Sequence, residues 1–248
     1  MIEQYHDIIR QAEFEAGIEN LRVRQKLEEK QKPWDNENRS YHDYYVTFRP
    51  VLGYTEIPDI LTKLKKNHPN EKIVAMDICG TGNVYNTLPD NARPDIVIAM
   101  TLVDYRNEKE KERDRKKNIH VIEGNVALPE TWTKFEQLCN ELGISTVHLA
   151  IARPLGGIHT IPAQHLWFLG RIAQRVYKHL SRHGGTFLTE TPGNQRENVK
   201  EWVDEAQSNG NDVKQGLIHD DPQFHVIRRC VQIIRHEDSP DKLSQFVP

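Results

Sequence analysis

One stretch of this chain concentrates residues suited to holding a ligand: Ile73-Val-Ala-Met-Asp-Ile-Cys-Gly-Thr-Gly-Asn83. A short apolar run feeds directly into a glycine-rich turn. Glycines in such a turn let the backbone approach a bound molecule closely. A second apolar run ends in Asp104, 22 residues after Gly82. An acid at the end of the next strand accepts two hydrogen bonds from vicinal ribose hydroxyls. Gly-x-Gly alone is a weak sign. With a strand before it and a strand-ending acid after it, the pattern points to a nucleotide-like ligand.

A second candidate lies in Arg153-Pro154-Leu155-Gly156-Gly157-Ile158-His159. Arg153 suits two-point recognition of a carboxylate or phosphate. The glycine pair permits a mobile loop. His159 has the side chain best suited to take a proton near neutral pH. Glu190-Thr191-Pro192-Gly193-Asn194 reads as a turn over the same edge. Among the 12 histidines, His179 and His183 are four apart near a helix end and read as partners of terminal carbonyls rather than metal ligands. His120 and His148 alternate with apolar residues and read as satisfied buried histidines; no metal site emerges. Cys79 sits in a turn at a helix N-terminus, a setting that lowers a thiol pKa, and reads as a small residue beside glycine.

These residues need a frame. Lys72–Ile78, Asp95–Asp104, Asn118–Gly124, Thr146–Ala152 and Gly185–Glu190 are short, continuous apolar runs, as expected of strands buried on both faces. Helical spacing appears over Pro58–Lys66, Glu130–Leu142, Ala163–Leu180 and Asn198–Gln207. Strand–helix alternation implies right-handed crossovers. Val213–His219 and Gln223–His236, joined by Asp220-Asp221-Pro222, break the alternation as a hairpin. The predicted fold is therefore α/β: a doubly wound Rossmann-like sheet, mostly parallel, with a C-terminal antiparallel hairpin. Residues 55–248 form this domain. Residues 1–54 form a helical and aromatic N-terminal extension. In it, a polar helix over 1–32 carries Ile8, Ile9, Phe14, Ile18, Leu21 and Leu27, and Pro33 ends it. Trp34, Tyr41, Tyr44, Tyr45, Phe48 and Tyr54 then form either a packing layer or a pocket wall. The mixed charges of Asn107–Lys117 read as a solvated helix or loop.

Composition narrows the classes. The chain has 248 residues, 37% hydrophobic and 28% charged, with net charge −3. Recurrent apolar runs exclude wholesale disorder. The charge balance disfavours a strongly basic nucleic-acid binder. No apolar stretch approaches the length of a membrane span, and Met1-Ile2-Glu3-Gln4 lacks a signal-peptide pattern. Three scattered cysteines do not make a disulfide framework. These features point to a cytoplasmic protein.

Cys79-Gly80-Thr81-Gly82-Asn83, with Asp104 after the second strand, resembles class I S-adenosylmethionine-dependent methyltransferases over about residues 55–236. The resemblance implies that S-adenosylmethionine is the cofactor, held by Asp77, Cys79, Gly80, Thr81 and Gly82 in the first turn. Gly80 and Gly82 would pass under its methionine part, Asp104 would hold the ribose, and Tyr105 would flank the adenine. Asn125 and Val126, in Glu123-Gly124-Asn125-Val126, match the segment at the adenine edge; Asn125 stands where an aspartate is common. Ala152 and the Arg153 loop fall where such enzymes place residues facing cofactor and substrate, with Arg153 and His159 as catalytic candidates. The first turn departs from the family pattern by one residue. Aligned on Cys-Gly-Thr-Gly, Ile78 takes the place of the first glycine and Met76 that of the acid.

The resemblance implies methyl transfer to an oxygen or nitrogen. The mild acidity points to a small molecule or a protein side chain as acceptor rather than nucleic acid. Two other classes share the pattern. An NAD-dependent oxidoreductase needs a third glycine near residue 85, where Val84, Tyr85 and Asn86 stand. A non-catalytic methyltransferase-like binding domain would keep the fold without the chemistry. The sequence leaves open whether the N-terminal helix pairs two copies into a homodimer.

Overall fold

The computed structural model describes residues 40–152, 167–191, 196–219 and 227–245. The helix expected over 1–32, the Arg153–His159 loop and the Asp220–Pro222 turn lie outside the described residues, as does the Glu190 turn beyond Thr191. In chain order the elements are α1 (Tyr41–Leu52), α2 (Ile57–Asn67), β1 (Val74–Ile78), α3 (Asn83–Asn86), β2 (Ile96–Thr101), α4 (Glu108–Lys116), β3 (Ile119–Glu123), α5 (Pro129–Leu142), β4 (Leu149–Ala152), α6 (Trp167–His179), β5 (Gly185–Thr191), α7 (Arg196–Ser208), β6 (Asp212–His219) and β7 (Ile227–Arg235).

The strands form one sheet of order β3-β2-β1-β4-β5-β7-β6. The first five are parallel, and β7 runs antiparallel between β5 and β6. The expected Rossmann-like sheet with its closing hairpin is what forms. Every residue of β1, β2 and β4 is buried, because helices cover both faces. Strand alternation then sorts the side chains into two cores. Val74, Met76, Ile78, Ile98, Met100, Phe187, Val231 and Ile233 share one face with Trp132, Phe135, Val176 and Trp202 of α5, α6 and α7. Ala75, Val97, Ile151, Leu188 and Cys230 share the other with Tyr44, Phe48, Leu61 and Tyr85 of α1, α2 and α3.

The aromatic stretch before β1 acts as a packing layer in its helical part. Tyr44 and Phe48 are buried in the second core, whereas Tyr54 is exposed. Burying such a ring stabilises by about 1.5–3 kcal/mol. Pro50 of α1 lies against β6 so closely that a Cβ at Gly216 would come within 2.9 Å of its carbonyl carbon. The charged segment 107–117 is a helix, α4. Asn107 caps it by accepting from Glu110 N–H at 3.0 Å. Only Asp114 of this helix is buried. No helix among the described residues is long and apolar enough to cross a membrane.

The register aligns the carboxyl ends of the central strands. Ile78 pairs with Met100 on β2 and Ala152 on β4, and Ala152 pairs with Thr189 on β5. These strand ends therefore lie along one edge, the edge at which ligands of open α/β sheets bind.

Candidate active site

The turn after β1 is built around Asp77, which is 2% exposed. Its Oδ2 accepts from Gly82 N–H at 2.8 Å, and Gly80 N–H donates to Met100 carbonyl oxygen at 3.1 Å. Both glycines are required by this packing. A Cβ at Gly80 would lie 2.5 Å from the Asp77 carboxyl carbon, and one at Gly82 would lie 2.7 Å from Ile119 Cγ2. Gly82 also adopts φ 79°, and Cys79 adopts φ 66°. Cys79 thus holds a left-handed backbone that glycine adopts without strain. The shortened turn keeps its bend by placing that conformation on a cysteine. Thr81, between the two glycines, is buried.

Cys79 fits its reading as a small residue beside glycine: burial, reinforced by the charge of Asp77, pushes its thiol up to about 12, against the lowering that a helix N-terminus alone would give.

Asp104 follows β2 and carries a dense set of bonds. Arg106 Nε donates to Oδ1 and Nη2 to Oδ2, both at 2.9 Å, and Arg106 N–H donates to Oδ1 at 3.2 Å. Burial alone would raise the Asp104 carboxyl, but the Arg106 hydrogen bonds and charge outweigh it and hold the group below its ordinary value. An ionised carboxylate has about four lone-pair sites. Arg106 uses three, leaving one on Oδ2. The two-point grip expected from the sequence becomes one hydrogen bond while Arg106 stays in place. Arg106 is itself tethered: its Nη1 donates to Asp114 Oδ2 at 2.8 Å. Asp114 is 1% exposed and also accepts from Asn86 Nδ2 and Arg113 Nε, each at 3.0 Å. A buried network thus joins α3, the loop after β2, and α4. Arg106 and Asp114 escaped the sequence reading. Asp114 sits in a run of alternating charges, and only burial distinguishes it from its neighbours.

The third turn sits beside them. Glu123 Oε2 accepts from Asp104 N–H at 3.2 Å, and Gly124 N–H donates to Thr101 carbonyl oxygen at 2.9 Å. Asn125 Oδ1 accepts from Ala127 N–H at 2.9 Å. One of its oxygen's two acceptor sites is engaged, so among the described residues its amide hydrogens are its main free capacity. Val126 is buried, and its carbonyl accepts from Trp132 Nε1 at 2.7 Å. Tyr105 is half-buried next to Asp104. Ala152 ends β4 in the core. The first three turns and the end of β4 therefore share one edge, whereas Arg153 and His159 fall outside the described residues. The place a third dinucleotide-binding glycine would need is filled: Tyr85 is buried, and its hydroxyl donates to Met76 carbonyl oxygen at 2.9 Å.

The histidines lie elsewhere. His179 stacks on Trp132 and packs edge-on to Phe135, 3.7 Å from Glu136. That corrects the expectation of a terminal-carbonyl partner. The α6 carbonyls are taken instead by Arg235, whose Nη1 donates to Tyr177, Lys178 and Leu180. At the opposite sheet edge, His68 Nδ1 and His148 Nε2 each lie 3.4 Å from Glu71 Oε2. Three such groups resemble a cation site. Val74 N–H donates to His148 Nδ1 at 3.2 Å, however. In the neutral ring the proton is then on Nε2, where a metal would need a lone pair. Both His148 nitrogens are hydrogen-bonded, and His148 is the satisfied buried histidine that its pattern suggests.

No family model matches the chain, and no curated protein matches it. Among solved structures, it is similar to Burkholderia thailandensis 1,6-didemethyltoxoflavin-N1-methyltransferase, at 14% identity over 91% of this chain and 90% of that one, with a TM-score of 0.46. It is also similar to an rRNA methylase from Streptococcus thermophilus, at 14% identity over 73% and 94%, with a TM-score of 0.44. The methyltransferase domain of bacterial CtHen1 matches at 15% identity over 71% and 96%, with a TM-score of 0.43. Identities this low leave the chemistry to the chain's own residues. By its own sheet order, β3-β2-β1-β4-β5-β7-β6 with β7 antiparallel, the chain has the class I methyltransferase fold.

Proposed function

We propose that this chain transfers a methyl group from S-adenosylmethionine to an oxygen or nitrogen of a small molecule or a protein side chain. The observation that carries the reading is the pairing of two features on one edge: the tight Gly80/Gly82 turn over Asp77, and an ionised Asp104 with one acceptor position left. When bound, the cofactor supplies an electrophilic methyl group on a sulfonium.

The chain's own residues supply binding and orientation. Asp104 Oδ2 accepts a ribose hydroxyl, and Arg106 keeps the carboxylate charged and fixed. Asn125 donates its amide hydrogens to the base, beside Tyr105 and Val126. The turn from Cys79 to Gly82 brings backbone close to the amino-acid part. Arg153 orients an anionic part of the acceptor and His159 takes the proton that its oxygen or nitrogen releases. Much of the rate in such a transfer comes from aligning and desolvating the nucleophile, so no strong base is required.

Calorimetric titration with S-adenosylmethionine, S-adenosylhomocysteine and NAD tests the reading. Micromolar binding of the first two is expected. Asp104→Ala removes a charge-assisted hydrogen bond and is expected to weaken it about 10- to 100-fold. Failure of the intact protein to bind either compound overturns the assignment, and binding of NAD alone replaces it with the oxidoreductase reading.

A further inference from the structure

Arg229 of β7 is 9% exposed, yet no carboxylate pairs with it among the described residues. A buried arginine is ordinarily paired, because an uncompensated charge away from water is costly. The one hydrogen bond of its guanidinium among the described residues runs from Nη1 to Gln215 Oε1 at 2.6 Å. Its Nε is buried and has no hydrogen-bond partner. Arg229 pairs with Thr191, the last residue of β5, and with Leu217 on β6. It thus stands at the same sheet edge as the carboxyl ends of β1, β2 and β4. The adjacent buried carboxylate, Glu190, pairs with Cys230. Strand alternation sends its side chain to the opposite face, away from Arg229.

With Nη1 committed to Gln215, the Nε–Nη2 side of the guanidinium remains. That side presents two parallel N–H groups, which match the two oxygens of a carboxylate or the oxygens of a phosphate. The β4 end, Ala152, lies two strands away, about 10 Å at ordinary strand spacing. We propose that Arg229 is an oxyanion-binding residue that selects an acceptor carrying a carboxylate or phosphate. The role as acceptor anchor rests on the methyl-transfer reading; the anion site itself does not.

The test is therefore run without cofactor. Thermal unfolding of the intact protein is followed in sodium succinate, sodium phosphate and sodium chloride at equal ionic strength. Succinate or phosphate is expected to raise the midpoint by several degrees over chloride, and the stronger of the two identifies the acceptor's anionic group. Arg229→Gln is expected to abolish the rise. Arg229→Lys keeps the charge without the fork, is expected to give a reduced rise, and serves if the first variant folds poorly. Asp104→Ala is expected to keep the full rise, which separates this site from the cofactor site. No rise in the intact protein, or a rise in Arg229→Gln and Arg229→Lys as large as that of the intact protein, overturns the proposal. Loss of S-adenosylhomocysteine binding with the anion response intact would overturn the cofactor reading alone.

Discussion

The His148 cluster at one sheet edge and the Asp104, Asn125 and Arg229 groups at the other use polar side chains in opposite ways. At the edge of the strand amino ends, His148 Nδ1 accepts a hydrogen bond from Val74 N–H and its Nε2 faces Glu71, and His68 Nε2 donates to His183 carbonyl oxygen at 3.2 Å. Both His148 ring nitrogens and His68 Nε2 thus have partners within the chain. The cluster ties the end of α2 and the starts of β1, β4 and β5. At the carboxyl edge the networks stop short. Among the described residues, Asp104 keeps an acceptor position, Asn125 keeps its amide hydrogens, and Arg229 keeps a buried Nε without a partner. A closed polar network fixes a fold, whereas a partly satisfied one is costly unless a ligand completes it. The contrast is between the His148 cluster and the Asp104, Asn125 and Arg229 groups rather than between whole edges, since Arg235, beside Gly185 at the amino edge, also has a buried Nε without a partner.

The largest expected effect comes from the turn at the carboxyl edge. Gly82→Ala puts a side chain at φ 79° and against Ile119. Strain and overpacking together are expected to cost about 2–4 kcal/mol, read from denaturant unfolding. A cost below about 1 kcal/mol would mean that the turn relaxes freely and does not constrain the site.

His148→Ala probes the other cluster. It strands Val74 N–H and removes a partner of Glu71, with an expected loss of about 1–3 kcal/mol in stability. S-adenosylhomocysteine affinity and the anion-induced rise in midpoint should stay within twofold of the intact protein. A large change in either would erase the division between the two sets of groups.

The smallest effect separates the two sets by pH. The His68 hydrogen bond chiefly lowers the Glu71 carboxyl, and Arg106 outweighs burial to lower that of Asp104. Carboxyls lowered in the folded state contribute stability that is complete above their unfolded values, near 4, and is lost as pH falls through the folded ones. The thermal midpoint should therefore fall with acid below about pH 4. Asp104→Asn should flatten that limb more than Glu71→Gln, because Glu71 is 52% exposed and screened by water. Equal flattening would show that exposure does not rank the two pairs.

Much of the frame is written locally. The apolar runs 73–78, 96–101 and 149–152 are too continuous for half-exposed strands, so a doubly covered parallel sheet follows from them alone. Gly80, Gly82 and Asp104 announce themselves by type and spacing, because a tight turn and a strand-ending acid are local features. The partners of Asp104 are another matter. Arg106 is two residues away, but its second anchor, Asp114, lies within a charged helix whose other residues face water. Nor does the sequence reveal that Cys79 carries the left-handed bend, or that burial raises its thiol.

What the sequence by itself determined is the order of elements, the glycine turn and the acid opposite it, since periodicity and turn chemistry act over a few residues. What only the tertiary structure decided is which polar groups are left incomplete. His148 is closed because Val74 lies beside it across 74 residues of chain. Arg229 has no carboxylate partner among the described residues because strand alternation turns Glu190 to the other face. Whether a hydrogen bond is already made depends on neighbours brought together by packing, and no local pattern records them.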